Sequence, residues 1–509
     1  MDADTHEPAE HLYLRMAESM ASAIRSGTLT RGERMPSVRS LARQYGVSLA
    51  TAVQAYRTLE DARLVEARPR SGYFVAARTP SLPEPVAPPL PATALPVDVS
   101  SLSEQVMRAA HDPAFVSLGA ACPSAELFDQ ERIRRAFGRA VQRHRASLCQ
   151  YEVGPGHESY RRAVSRYAMR FGCQLDPRAI IATGSCLDAI SLALRAATQP
   201  GDIVALESPT YFGFLEILEH LHLRALEIPC HPRTGLSLDA LQLALDTQPV
   251  RAVLAVPTLS NPLGVCMPAA ERRQLARMVA AHDIPLIEDV LCNDLVEHDD
   301  KRRSVKSFDT TGHVMICGSF SKTVAPGIRL GWIEAGRWSS HVRRLKLATA
   351  GGQTPLLELA MADLLTQPGS GIQARRLQNA LGARIDEARS LIAQSFPRGT
   401  RVTDPPGGTI LWVELPPTVD STVLFQACLA ERIVIGPGTM FSATGRYRHN
   451  IRLSIVSRWD DAHRQGLLRV GRIATTLHEQ AVGQARRDRE APDARDGPPR
   501  APAPISGNA

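Results

Sequence analysis

Apolar positions in this chain keep two different rhythms, one of three-to-four steps near the N-terminus and one of short unbroken runs further on. Leu14, Ala17, Ala21 and Ile24 step by three and four, which predicts one face of a helix closed by Gly27. The stretch "MPSVRSLARQYGVSLATAVQAYRTLEDARLVEARPRSGYFV" follows. It reads as a helix capped by Ser37, a tight turn at Gly46-Val47 and a second helix capped by Ser48. Leu41, Ala42, Ala52, Val53, Tyr56 and Leu59 face inward. Two short strands, around 64 to 67 and 73 to 75, are joined by the turn "PRSG". Helix, turn, helix and a two-stranded wing predict a winged helix-turn-helix over residues 9–78.

Beyond residue 178 the runs "AIIAT", "DIVALES", "RAVLAV", "IPLIED", "HVMICGS" and "RLGWIEA" alternate with helical periods. That alternation predicts an α/β unit with a mostly parallel sheet covered by helices on both faces. Sites in such a sheet belong at the carboxyl ends of the strands. Between the two units, residues 79–103 carry seven prolines and no glycine, which predicts an extended, semi-rigid spacer. From 479 the chain is charged and then rich in Pro and Ala, so 479–509 is expected to be a disordered tail. The large unit is therefore 104–478.

Charge sharpens this division. Residues 9–78 hold eleven arginines against six acidic residues, so most of the chain's net +7 lies on the small unit, as a phosphate-binding surface requires. The nine cysteines show no C-x-x-C and no paired spacing, which predicts free thiols in a reducing compartment and no metal site. The N-terminus lacks an apolar leader core, and no later run reaches about 18 uninterrupted apolar residues. A cytoplasmic protein without a membrane partner is expected.

The polar residues that follow the predicted strands are of unusual kinds. After "IIAT" comes Gly184-Ser185 opening a helix, a start that suits a phosphate. After "IVALES" comes Tyr211, after "VLAVP" comes Asn261, after "IPLIE" comes Asp289, and after "VMIC" comes "GSFSK" with Lys322. Singly, each has an ordinary explanation as a cap, a core ring, a turn or a surface charge. Together they match the needs of pyridoxal 5'-phosphate (PLP): an amine, a carboxylate for the ring nitrogen, a stacking ring and phosphate ligands. The chain has only four lysines. Lys301 and Lys306 sit in the charged loop "EHDDKRRSVKS" and Lys346 in "RRLKLA", which leaves Lys322 as the one preceded by a dry strand.

The N-terminal stretch resembles the DNA-binding domains of the GntR family. Pro36, Ser37, Arg39, Leu41, Ala42, Gly46, Val47, Ser48, Thr51, Ala55, Leu59 and Gly72 all match that family's pattern. With the large unit behind it, the chain is similar to the MocR-type branch, whose effector domain resembles a fold-type I aminotransferase. The resemblance implies that Arg39, Ser48 and Thr51 touch double-stranded operator DNA, with Arg70 and Gly72 at the wing. It also implies that Lys322 forms the internal aldimine with PLP and Asp289 pairs with the ring nitrogen. Tyr211 would stack on the ring and Asn261 bond its 3'-oxygen. Gly184, Ser185, Ser319, Ser321 and Arg329 would hold the phosphate. Tyr151 would reach the phosphate of a partner subunit in a homodimer, and Arg452 would clamp the carboxylate of a small amino-compound effector.

Two departures from the family pattern carry consequences. The residue after Ser48 is Leu49, followed by Ala50, so base readout there suits a thymine methyl and not guanine. The tyrosine usual shortly after the aspartate is replaced by Leu291 and Cys292, and a thiol is a weak donor. The resemblance thus implies a transcriptional regulator that senses an amine or amino acid through an external aldimine. The alternative is an active aminotransferase carrying an accessory DNA-binding module. The missing tyrosine and the attached reader domain favour the regulator.

Overall fold

In the computed structural model the chain divides into two units, residues 1–81 and 82–509. The structure describes residues 9–25, 28–29, 33–61, 64–68, 71–76, 82–86, 94–97, 102–296 and 299–490.

The small unit contains the helices Ala9–Arg25, Val38–Tyr45 and Leu49–Asp61 and the antiparallel strands Val65–Arg68 and Gly72–Val75. Helix Val38–Tyr45 starts where Ser37 Oγ accepts the Ser40 N–H at 3.1 Å. It stops at Gly46, which takes φ 64°, a left-handed turn that a side chain resists. Ser48 Oγ accepts the Thr51 N–H at 3.1 Å and starts the next helix. The core gathers Met16, Met20, Leu41, Ala52, Tyr56 and Leu59 against Val65 and Val75 of the wing. Leu14, expected to face inward, is 47% exposed. Met16 and Met20 fill that place, because the buried stripe of the first helix is centred on Ala17 and Met20.

The large unit is organised by one sheet with the strand order Leu95–Pro96, Arg224–His231, Ile203–Ser208, Val250–Ala255, Leu286–Asp289, Val314–Ser319, Gly331–Glu334, Ile180–Thr183. Pairing is parallel from Arg224–His231 through Val314–Ser319. Gly331–Glu334 is antiparallel to both neighbours, so Ile180–Thr183 runs in the same direction as Val314–Ser319. Strands Ile203–Ser208 and Val314–Ser319 are buried at every residue, which explains their unbroken apolar runs. Six strands therefore leave their carboxyl ends on one edge. A four-stranded antiparallel sheet, Arg401–Val402, Ile410–Glu414, Asn450–Ser454 and Gly436–Pro437, lies later in the chain. It sets Arg452 opposite Trp412.

Two expected segment boundaries change. The described parts of the proline-rich segment, 82–86 and 94–97, are fastened to the large unit, where an extended, semi-rigid spacer was expected. Leu95–Pro96 pairs with Arg224–His231, Pro83 O accepts the Val402 N–H at 2.9 Å, and Glu84 meets Arg233 at 2.7 Å. Prolines lack a donor, but their carbonyls and the residues between them still pair along a sheet edge. Residues 479–490, expected in the disordered tail, are helical. Helix Asp461–Glu490 continues through "EQAVGQARRDRE", whose Glu, Gln, Ala and Arg are good helix formers. Residues 491–509 lie outside the described residues. Among the described residues no helix is long and apolar enough to cross a membrane.

Candidate functional site

The strand ends converge on a cavity of about 190 Å³. Ser185, Tyr211, Asn261, Asp289, Ser319, Ser321, Lys322, Arg329 and Arg452 all line it. The first eight follow central-sheet strands, whereas Arg452 enters from the antiparallel sheet. Gly184 and Tyr151 do not line it. The Gly184 N–H is taken by the Asp188 carboxylate at 2.7 Å, and Tyr151 is fully exposed in the loop before the helix Glu158–Ala168.

Lys322 Nζ donates to the Ala121 carbonyl and makes no close ion pair among the described residues, although its charge acts on the nearby Asp289 carboxylate. Burial pushes its pKa down, so the neutral amine, the nucleophilic form, is favoured. Its place in the cavity beside Asp289, and not dryness, sets Lys322 apart. Lys306 is also largely buried but lies 2.8 Å from Glu334 and 3.2 Å from Asp309. Lys346, expected in a solvated stretch, is 2% exposed and interacts with Asp188 and Glu358. Its side chain turns inward from a helix whose neighbouring arginines stay outside.

Asp289 Oδ1 accepts the Leu291 N–H at 2.8 Å and the Cys186 thiol at 3.3 Å. Burial pushes its carboxyl up to about 6. Arg452 is 1% exposed, yet no carboxylate answers it among the described residues. Its Nη2 donates to Gly119 O at 2.6 Å and its Nη1 to Asn261 Oδ1 at 3.1 Å, with the Phe441 ring 4.9 Å away. Its Nε has no hydrogen-bond partner. Burial brings its pKa down to about 10. A buried guanidinium that lacks an anion is costly, and a ligand carboxylate would relieve that cost.

The remaining wall suits a phosphate. The hydroxyls of Ser319 and Ser321 stand 3.1 Å apart, and Ser185 caps the helix Cys186–Ala197. Arg329 adds a cation from a left-handed residue at φ 50°. Tyr211 keeps its place because its neighbour is glycine: a Cβ on Gly213 would stand 2.6 Å from the ring. Leu291 and Cys292 both line the cavity, so no phenol stands where the family places one.

Sequence reasoning missed Met107, the Ala121-Cys122 segment, Cys186 and the loop Gly407 to Ile410, all of which line the same cavity. Only the last had a readable signal, the glycine pair in "PPGGT". Gly407 takes φ 157°, and a Cβ there would meet the Leu295 carbonyl at 2.4 Å. In the small unit Arg39 and Gly72 are exposed, and Gly72 takes φ 97° in the wing. The hydroxyls of Ser48 and Thr51 lie 2.8 Å apart, and Leu49 is 54% exposed at the helix start. Arg70 lies outside the described residues.

Comparison with known proteins agrees with both units. Residues 12–75 match the gntR family of bacterial regulatory proteins, and residues 125–468 match aminotransferase class I and II. The uncharacterized HTH-type transcriptional regulator YjiR of Escherichia coli is 33% identical, over 90% of this chain and 98% of its own. The chain belongs to the MocR-type regulators of the GntR family. Another relative of this MocR-type protein, the HTH-type transcriptional regulator TauR of Rhodobacter capsulatus, is 29% identical over 91% of this chain and 96% of its own. Among solved structures, the α-aminoadipate aminotransferase LysN of Thermus thermophilus superposes with a TM-score of 0.68. It has 23% identity and covers 76% of this chain and 96% of its own. That structure is complexed with N-(5'-phosphopyridoxyl)-L-leucine. The relatives that span both units of the MocR-type chain are regulators by name, so the protein is a transcriptional regulator with an aminotransferase-like domain. An aminotransferase with an accessory reader is not favoured.

Proposed function

We propose that this MocR-type regulator is a cytoplasmic, PLP-dependent sensor of an amino acid or amine that reads operator DNA as a homodimer. The observation that carries the reading is the presence, in one cavity, of a buried amine held in no close ion pair and a buried arginine without an anion. When bound, PLP supplies an aldehyde that condenses reversibly with primary amines, Lys322 and effector alike, and this exchange is how an amino compound would be sensed. Lys322 would hold the cofactor and Asp289 would pair with its ring nitrogen. Tyr211 would stack on the ring, Asn261 would bond the ring oxygen, and Ser185, Ser319, Ser321 and Arg329 would take the phosphate. Arg452 takes the effector's carboxylate. With Leu291 and Cys292 in place of a phenol, the site binds but is poorly equipped for turnover.

Arg39, Ser48 and Thr51 make the reading head's DNA contacts, with Gly72, and Arg70 beside it in the sequence, at the wing. Tyr151, exposed in the single chain, serves the partner subunit's phosphate.

The visible spectrum of the PLP-loaded protein tests this. It should change when an amino acid is added, and change less with the matching decarboxylated amine. Lys322→Ala should lose the borohydride-reducible adduct while remaining folded. An adduct that survives in that variant overturns the assignment of the lysine.

A further inference from the structure

A second cavity, of about 300 Å³, shares two loops with the first. Ser321 and Lys322 line one cavity, and the next residues, Thr323 and Val324, line the other. Likewise Asp289, Leu291 and Cys292 face the first, and Asp294 faces the second. Nothing in the proposed function uses this second space.

Its charged groups are unbalanced. Three guanidinium groups, of Arg132, Arg166 and Arg170, line it against two carboxylates, of Asp129 and Asp294. Asp294 is answered by Arg170, whose Nε lies 3.2 Å from its Oδ1, and Arg170 also lies over the Tyr167 ring at 5.7 Å. Asp129 is engaged as the cap of the helix Gln130–Arg143, accepting the Arg132 N–H at 2.9 Å. Arg132 donates one Nη to Leu364 O at 2.6 Å and keeps its other donors. The exposed Arg166 guanidinium has no hydrogen bond or ion pair among the described residues. Thr323 is 6% exposed, and its Oγ1 makes no close hydrogen bond, with the Tyr167 hydroxyl as its polar neighbour. A buried hydroxyl without a close partner is costly, and a cation without one leaves an anion uncollected. Burial pushes the Asp294 carboxyl up, and the Arg170 guanidinium beside it pulls it down.

We infer that this cavity binds a small oxyanion, a phosphate or a carboxylate, held by Arg132 and Arg166 and by the Thr323 hydroxyl. It is a ligand site distinct from the one at Lys322, and it does not depend on PLP being bound there. Its ligand would press on the far end of the loop that carries Lys322.

Calorimetric titration of the full-length, PLP-loaded protein, whose first cavity is filled, with inorganic phosphate and, separately, with succinate tests the inference, each against chloride at matched ionic strength and pH. Saturable binding of at least one anion is expected, and which one binds distinguishes the phosphate from the carboxylate. Arg166→Gln, at an exposed position, should weaken that binding at least tenfold, and Thr323→Val severalfold. Arg329→Gln, which alters only the first cavity, should leave it within twofold. Arg132→Gln repeats the test should Arg166→Gln prove unfolded by thermal melt. The absence of saturable binding beyond the chloride control overturns the inference. A loss in Arg329→Gln as large as that in Arg166→Gln also overturns it, because the anion then sits in the first cavity.

Discussion

Asp289 shows how one residue's surroundings set its chemistry. Its carboxyl is pushed up to about 6 from 3.8 by burial, with one amide and one thiol as partial compensation. The folded, cofactor-free protein therefore holds this proton more tightly than the unfolded chain does. The cost of the buried charge is absent below the ordinary carboxyl range, grows between about pH 4 and 6, and is complete above that. A shift of about two units is worth roughly 3 kcal/mol. Asp289→Asn should thus stabilise the cofactor-free protein at pH 7.5, and by about a third as much at pH 4.5. Thermal melts of both proteins at the two pH values check this. An equal gain at both pH values would show that the charge is not the cause. The same residue should weaken PLP binding when changed, so stability and function oppose each other here.

At the scale of elements, the recognition helix Leu49–Asp61 is set by the Ser48 cap and by Ala52, Tyr56 and Leu59 on its inner face. Its outward start is apolar, with Leu49 54% exposed and Ala50 exposed beside it. Such a surface reads methyl groups in the major groove. With an operator chosen by selection, deoxyuridine in place of thymidine at the position facing Leu49 should cost roughly 0.8 kcal/mol, about fourfold in affinity. Leu49→Ser should erase that difference between thymidine and deoxyuridine. If uracil scanning finds no sensitive position, the helix start does not read bases this way. The helix Asp461–Glu490 and the strap at Leu95–Pro96 teach a related lesson about elements. Composition marked both as loose chain, yet helix propensity extended one and a free sheet edge recruited the other.

At the scale of the molecule, Tyr151 is the residue that a single chain does not explain, since it stands in solvent outside the cavity. If it serves a partner's cofactor, as proposed, the arrangement of two substitutions matters. A heterodimer with Tyr151→Phe on one chain and Lys322→Ala on the other keeps one native site. With both changes on the same chain, neither site is native. PLP affinity measured on the two heterodimers should differ accordingly, and light scattering should give a dimer. Equal affinities, or a monomer, would remove Tyr151 from the site.

The residues of the site were legible where they are local to a strand end. In a parallel sheet, successive strands leave their carboxyl ends on one edge, so Ser185, Tyr211, Asn261, Asp289 and Lys322 converge by topology alone. The winged helix was legible for a similar reason, because caps, a left-handed glycine and short helical periods act within a few residues of one another. What the sequence did not show are pairings between distant segments. These include Lys322 with Ala121, Asp289 with Cys186, Arg452 with Gly119, and the burial of Lys346 beside Asp188. Each depends on which surfaces pack against which, and packing is decided by the whole core, not by neighbours along the chain. The sequence by itself determined which chemical groups this protein owns and the order in which they meet the sheet. Only the tertiary structure decided which of those groups keep a partner, and so which, like Lys322 and Arg452, are left with donors to spare.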